Sequence, residues 1–337
     1  MILDVRRVTV ELPARTGWIR PVNEVSFTLD KGECLGIVGE SGSGKTMLAL
    51  ALLGLEPRGS RRNGQAWLRT HAGNANGRTK VRPAAADPTD LIAASEAHAC
   101  ELRGREIAMI FQEPMTALNP MIRVGAQIGE TIRVHNPRMR RNEIRQRVFH
   151  SLERAAVPEY ERRARQYPHQ LSGGLRQWVL IAMALAAEPS VLIADEPTTA
   201  LDVTIQRQIL DLLTELRREL HLSMLFITHD LAVVAQIADR IAVMYAGRIV
   251  EIGSVADVLR NPRHPYTQAL LRAAPRLGHG KLKGIAGAVP RLDALPAGCA
   301  FAPRCSRRVT ECDAAMPELL PVAGEPEGQF ARCILAR

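Results

Sequence analysis

The sequence predicts an α/β fold built on a largely parallel sheet, with a small cysteine-rich extension at its C-terminal end. Three observations carry this. From residue 190 onward, apolar β-type runs alternate with helical stretches, the pattern of βαβ units. Hydrophobic residues make up 46% of the chain and aromatics only 4%, so Leu, Ile, Val and Ala must fill the interior, as they do in strands covered by helices. The apolar run Cys34 to Val38 passes through a glycine-rich loop into the apolar helical pattern Met47 to Leu53. At 337 residues the chain is long enough for one large domain plus an appendage.

Taken in order, Ile2 to Val10 and Val25 to Leu29 alternate as strands and bracket a loop containing Trp18. Trp18 suits stacking on a purine equally with half-packing against its own strands. After the first helix, residues 57 to 104 are rich in Arg, Ala, Asn and Gly, hold no hydrophobic period across their middle, and read as a loop inserted between strands. Ile107 to Phe111 is a buried strand leading into Gln112-Glu113-Pro114. From about 120 to 187 the pattern is helical, with Ile144, Val148 and Leu152 four apart. Arginines 138, 140, 141, 145 and 147 resemble a nucleic-acid patch, but their spacing on an amphipathic helix favours a solvated face. Strands are expected at Val191 to Ala194, Met224 to Thr228 and Ile241 to Tyr245, and helices at Ile205 to Leu220 and Leu231 to Ile237. Beyond about 260 the chain turns Pro-, Gly- and Cys-rich, and a domain boundary is placed there.

The chemistry concentrates first in Gly39-Glu40-Ser41-Gly42-Ser43-Gly44-Lys45-Thr46, which fits GxxxxGK[ST] in the strand, loop, helix context that motif needs. Its glycines let successive backbone N–H groups, with the positive end of the following helix, point at a triphosphate. Lys45 would reach the β- and γ-phosphates and the Thr46 hydroxyl would sit on Mg²⁺. Some 150 residues on, the strand Val191 to Ala194 ends in Asp195-Glu196. Asp195 is placed to hold the Mg²⁺ shell opposite Thr46, and Glu196 to orient or deprotonate an attacking water, although acidic residues after strands also serve as helix caps. Leu171-Ser172-Gly173-Gly174-Leu175-Arg176-Gln177 opens a helix running from Gln177 to Ala187. Ser172 is a good N-cap there, and the second of two consecutive glycines, Gly174, suggests close backbone approach to a ligand.

With Gln112, Ala200-Leu201-Asp202 and Thr228-His229-Asp230 added, this set resembles the nucleotide-binding subunit of ATP-binding cassette (ABC) transporters, motif by motif over residues 1 to about 255. The resemblance implies the ABC ATPase fold: a phosphate-loop core with mixed and parallel strands, an antiparallel β subdomain and a helical subdomain at about 120–187. It also implies a head-to-tail dimer, in which ATP lies between the phosphate loop of one subunit and Ser172, Gly173, Gly174 and Gln177 of the other. In that scheme Gln112 senses Mg²⁺ and links to membrane subunits, Asp202 communicates across the dimer, and His229 contacts the γ-phosphate. Trp18 is the candidate adenine contact. Phe111 to Pro120 and Asn261 to Thr267, the latter with an HPYT segment, resemble the dipeptide, oligopeptide and nickel importers. The expected domains are a nucleotide-binding domain over 1–260, with an insertion at about 69–92, and an importer-type extension over 261–337.

Four cysteines crowd into that extension, Cys299, Cys305, Cys312 and Cys333, apart from Cys34 and Cys100. Four soft ligands within 35 residues suffice for a [4Fe–4S] cluster or a Cys₄ zinc site, with free thiols or disulfides as the remaining readings. Structural zinc favours CxxC pairs, which are absent, and the wider spacing together with similarity to some importer ATPases favours iron–sulfur.

The net charge of +9 is compatible with nucleic acid or an anionic membrane surface. No N-terminal segment reads as a signal peptide, and the longest apolar run, Trp178 to Ala187, is about half a membrane span. The expectation is therefore a soluble ATPase held peripherally on the cytoplasmic face of the inner membrane. Its expected partners are a second, paralogous ATPase subunit, two permease subunits and a substrate-binding protein, with no nucleic acid. A DNA-repair or ribosome-associated cassette would carry a long coiled coil or tandem cassettes, and an inactive regulatory cassette would show decayed motifs. Neither feature is present.

Overall fold

The computed structural model describes residues 1–15, 17–69, 88–199, 201–273, 284–322 and 328–336. The insertion expected at about 69–92 falls largely outside the described residues.

The chain opens with β1 (Leu3–Ala14) and β2 (Gly17–Leu29), one long antiparallel hairpin. Trp18 therefore lies in β2, paired opposite Pro13, rather than in the open loop expected from sequence. Register shifts between Val5 and Leu12 break the two-residue period there, so local alternation stops short of the full strands. β3 (Cys34–Val38) leads through the glycine loop into α1 (Lys45–Leu53), and β4 (Arg61–Leu68) returns to pair with β1. Then come β5 (Thr89–Asp90), α2 (Glu96–Leu102) and β6 (Ile107–Ile110).

The helical stretch resolves into α3 (Pro114–Ala117), α4 (Val124–His135), α5 (Arg141–Arg154), α6 (Tyr160–Arg163) and α7 (Gly173–Leu185). On α5 the buried residues are Ile144, Val148 and Leu152, and arginines 141, 145 and 147 stand exposed. β7 (Val191–Asp195), α8 (Val203–Leu220), β8 (Ser223–Thr228), α9 (Leu231–Ile237), β9 (Arg240–Tyr245) and β10 (Arg248–Ser254) follow in alternation. The chain closes with α10 (Val255–Arg260), α11 (Pro265–Ala273), β11 (Leu320–Pro321) and β12 (Phe330–Ala331).

Two sheets result. One is antiparallel, in the order β2-β1-β4-β5, and the other runs β11-β12-β10-β9-β3-β8-β7-β6, parallel from β9 to β6. Successive side chains of a strand face opposite ways, so each central strand serves two cores. Cys34, Val38, Leu192, Ala194, Met224 and Phe226 face the helices, whereas Leu35, Ile37, Val191, Ile193, Leu225 and Ile227 face α1 and the antiparallel sheet. That double burial is why these segments read as unbroken apolar runs.

Packing runs across the boundary placed near 260. β12 hydrogen-bonds the outer edge of β10, and Tyr266 and Phe301 are buried against Tyr245, the last residue of β9. No helix among the described residues is long and apolar enough to cross a membrane.

Candidate nucleotide site

The loop Gly39–Thr46 begins where β3 ends and runs into α1. Gly44 adopts a left-handed φ of 102° at the helix start, and a Cβ there would overlap the Pro21 carbonyl. A Cβ on Gly39 would overlap the Met244 carbonyl, whereas Gly42, at φ 78°, faces open space. Two of the three glycines are thus demanded by neighbouring backbone, and the third by its own conformation. Ser41 is exposed and Ser43 buried. The Lys45 ammonium is buried, donates to the carbonyls of Gly39 (2.8 Å) and Glu40 (3.1 Å), and lies 3.4 Å from Ser43 Oγ. Burial lowers its pKa, against the opposing pull of Glu196, Asp195 and Glu40.

Asp195, at the end of β7, is almost fully buried, and neither carboxylate oxygen closes a hydrogen bond. Burial pushes its pKa up to about 6, and the facing Thr46 hydroxyl pulls the other way. An unpartnered buried carboxylate opposite a hydroxyl is a donor set suited to a hard divalent cation.

Glu196 follows with φ 47°, an uncommon conformation for a residue with a side chain, held by its N–H donating to the Ile227 carbonyl (2.8 Å). Three side chains converge on it. The Gln112 amide donates to Oε2 (3.2 Å), the Thr199 hydroxyl donates to the same oxygen (2.8 Å), and His229 Nδ1 stands 3.3 Å from Oε1. The parallel order β8-β7-β6 explains the meeting: Gln112, Glu196 and His229 all lie just past the C-terminal ends of adjacent strands, where open α/β sheets bind ligands. With its amide nitrogen donating to Glu196, Gln112 has its carbonyl oxygen left as a hard donor. Thr199 was not singled out in the sequence; its only signal is a hydroxyl three residues after a strand-end carboxylate.

The Leu171–Gln177 segment lies elsewhere. Helix α7 begins at Gly173, four residues earlier than expected, with Ser172 capping it by accepting from the Leu175 N–H (3.3 Å). The cap offsets the poor helix propensity of two glycines. A Cβ on Gly174 would press on Ile205 of α8 at 3.1 Å, and one on Gly173 would meet nothing within 4 Å. Gln177 is buried with its side-chain nitrogen unpartnered. Helix α7 packs over β6, three strands from β3, or roughly 14 Å at the usual strand spacing. Among the described residues no hydrogen bond joins Ser172–Gln177 to the glycine loop.

Asp202 caps α8 by accepting from the Ile205 N–H (2.9 Å). Trp18 is part-exposed beneath the Arg61 guanidinium, 3.9 Å from its ring centre, and sits three residues before Pro21, whose carbonyl abuts Gly44.

All six cysteines are free thiols. Burial pushes Cys34 up to about 12, as expected of a packed strand residue. Burial raises both Cys299 and Cys333, with smaller upward contributions from Cys312 and Cys333 at Cys299, and from Cys305 and then Cys312 at Cys333. The four C-terminal thiols are neighbours and chemically a soft ligand set. Yet among the described residues no three His, Cys, Asp or Glu side chains stand close enough to hold a metal ion.

Comparison with known proteins bears on this geometry. A family profile described as ABC transporter matches residues 22–199, and one described as oligopeptide/dipeptide transporter, C-terminal region, matches residues 250–312. A putative peptide import ATP-binding protein of Brucella ovis is 49% identical, with the alignment covering 99% of this chain and 96% of that protein. The dipeptide transport ATP-binding protein DppD of Bacillus subtilis is 45% identical over 94% of this chain and 90% of its own. Among solved structures, the ATP-binding cassette MJ0796, in a dimeric post-hydrolysis state with ADP and Pi, matches with a TM-score of 0.64 at 25% identity, covering 75% of this chain and 99% of that one. The chain belongs to the ABC transporter family, as an ATP-binding and ATP-hydrolysing cassette that carries the C-terminal region of the oligopeptide/dipeptide transporters.

Proposed function

We propose that the chain powers uptake of dipeptides or oligopeptides, as one of two ATPase subunits on the cytoplasmic face of a membrane complex. The observation that carries the catalytic part is the convergence of Gln112, Thr199 and His229 on Glu196, beside the unpartnered carboxylate of Asp195. Lys45 and the loop N–H groups from Gly39 to Thr46 bind the phosphates, leaving their loop partners as they do so. Thr46, Asp195 and Gln112 would hold Mg²⁺, which would supply neutralisation of phosphate charge. Glu196 takes the proton of the attacking water, Thr199 and Gln112 fix its carboxylate, and His229 turns toward the γ-phosphate.

Each chain is read as two half-sites, a reading supported by α7 packing over β6, three strands away from the strand that feeds the glycine loop. ATP is closed between the loop of one subunit and Ser172, Gly173, Gly174 and Gln177 of a second, with Asp202 at the seam and Trp18 near the base. The second cassette is read as a paralogue. Two permease subunits and a substrate-binding protein complete the assembly. The working division is a nucleotide-binding domain over 1–260, with its insertion at about 69–92, and an extension over 261–337.

The four C-terminal cysteines are read as ligands of an iron–sulfur cluster, with zinc second, on the soft-ligand chemistry of four free thiols in one short stretch, although as placed among the described residues they form no metal-holding group.

Glu196→Gln tests the catalytic reading. The variant is expected to bind ATP, lose about 100-fold or more in turnover, and accumulate ATP-bound dimers. Near-normal hydrolysis would remove Glu196 from its role. Co-purification of the membrane complex, with identification of the ligand on its binding protein, tests the transport reading; a nickel complex in place of peptide would overturn it.

A further inference from the structure

Glu40 is the only acidic residue within the loop Gly39–Thr46. An unpaired carboxylate at this place would oppose an incoming triphosphate by like charge. Its partner comes from 264 residues away. Arg304 grips it with a two-pronged contact, Nη1 donating to Oε2 at 2.7 Å and Nη2 to Oε1 at 3.0 Å.

The Arg304 side chain is only 3% exposed, and every guanidinium nitrogen is engaged. Nε donates to the Ala286 carbonyl (3.0 Å), Nη2 also to the Ile285 carbonyl (3.4 Å), and Nη1 also to the Tyr245 hydroxyl (3.4 Å). The cation lies 5.9 Å from the Tyr245 ring and 6.0 Å from Phe301. Five donors in a fixed planar fork suit this pocket, and a lysine ammonium does not reproduce them.

Glu40 is held at its other end too. Its backbone N–H donates to the Tyr266 hydroxyl at 2.9 Å, and the Tyr266 ring packs on Tyr245 (4.5 Å) and Phe301 (5.3 Å). The Glu40 carbonyl, in turn, accepts from Lys45. Both restraints on the loop's first turn therefore come from beyond residue 260.

We propose that Arg304 is a positioning residue for ATP binding: it neutralises Glu40 and, with Tyr266, sets the opening turn of the phosphate loop. The C-terminal extension is then a working part of the nucleotide site. The proposal rests on the reading of Gly39–Thr46 as that loop.

The test measures equilibrium binding of a fluorescent ATP analogue to the full-length chain, with thermal unfolding alongside. Arg304→Met keeps the length and apolar packing of the stem but leaves Glu40 unpaired. It is expected to raise the Kd about tenfold or more, since a charge stripped of its buried partner is strongly unfavourable. The double variant Glu40→Gln/Arg304→Met, which removes the stranded charge, is expected to bind within about threefold of the parent. Arg304→Lys, which keeps the charge and loses the fork, should fall between the two and serves where the Met variant fails to fold.

Wild-type affinity in either single variant overturns the proposal. So does a double variant as weak as Arg304→Met, which would assign Arg304 to the fold of the extension alone. Lys45→Ala separates the two levels. If it binds ATP normally, the phosphate-loop reading falls and takes the proposal with it; if it loses ATP while Arg304→Met does not, only the Arg304 role is lost.

Discussion

His264, at the junction of the main sheet and the extension, is a buried histidine whose neutrality can be measured. It is fully enclosed, its Nδ1 accepts the Tyr266 backbone N–H at 3.0 Å, and its backbone N–H donates to the Glu251 carboxylate at 2.9 Å. Burial, with Arg332 adding to it, pushes its pKa down to about 3. Because the folded value lies below the unfolded one, near 6.5, the native state binds fewer protons in between. The stability that His264 contributes is therefore complete above pH 6.5 and is lost as pH falls, at about 1.4 kcal/mol per unit. Between pH 7.5 and 5 the loss is about 2 kcal/mol, from the 1.5 units below 6.5.

His264→Asn retains an acceptor near the Nδ1 position and cannot be charged. At pH 7.5 it should destabilise the protein by about 2 to 4 kcal/mol, through lost packing against Phe301 and the cavity left behind. In urea unfolding at pH 5 the gap between variant and parent should narrow by about 2 kcal/mol. Every other titrating group is common to both proteins and cancels. A gap of equal size at both pH values would show that His264 is charged in the fold, or that its surroundings tolerate the charge.

Two glycines of the loop should respond differently to alanine. Gly44→Ala places a side chain at φ 102° and against the Pro21 carbonyl, so a loss of about 3 kcal/mol or more in unfolding and at least tenfold weaker ATP binding are expected. Gly42→Ala meets no neighbour and should cost only about 1 to 2 kcal/mol; equal effects would refute the close approach at Pro21. Anaerobically purified protein should contain iron and sulfide with absorbance near 400 nm, both lost in a Cys299→Ser/Cys333→Ser variant, and zinc without iron would refute the iron–sulfur reading.

Much of the core was legible because burial on both faces leaves its mark on the residues themselves. Cys34–Val38 stood out as a strand, and Leu231–Ile237 as a helix, each at the bounds the structure gives. The strands ending at Asp195 and Thr228 were found within a residue or so for the same reason. Alternation marks only parts of β1 and β2, because register shifts break it within the strands. Helix α7 starts directly after the Ser172 cap rather than at Gln177, because the cap offsets the poor helix propensity of the two glycines that follow it.

The catalytic motifs were readable in the chain because phosphate and metal chemistry demands particular residues at particular spacings: glycines with Lys45 and Thr46, a strand-end Asp195-Glu196, a strand-end His229. Those demands are local, so sequence alone determined them, along with the α/β class. What only the tertiary structure decided are the meetings between distant segments. Thr199 and Gln112 close on Glu196, Gly174 packs against Ile205, and Arg304 reaches Glu40 across 264 residues. The physical reason is that strand order and the packing of the extension set which side chains become neighbours, and neither is written in the spacing of any single motif.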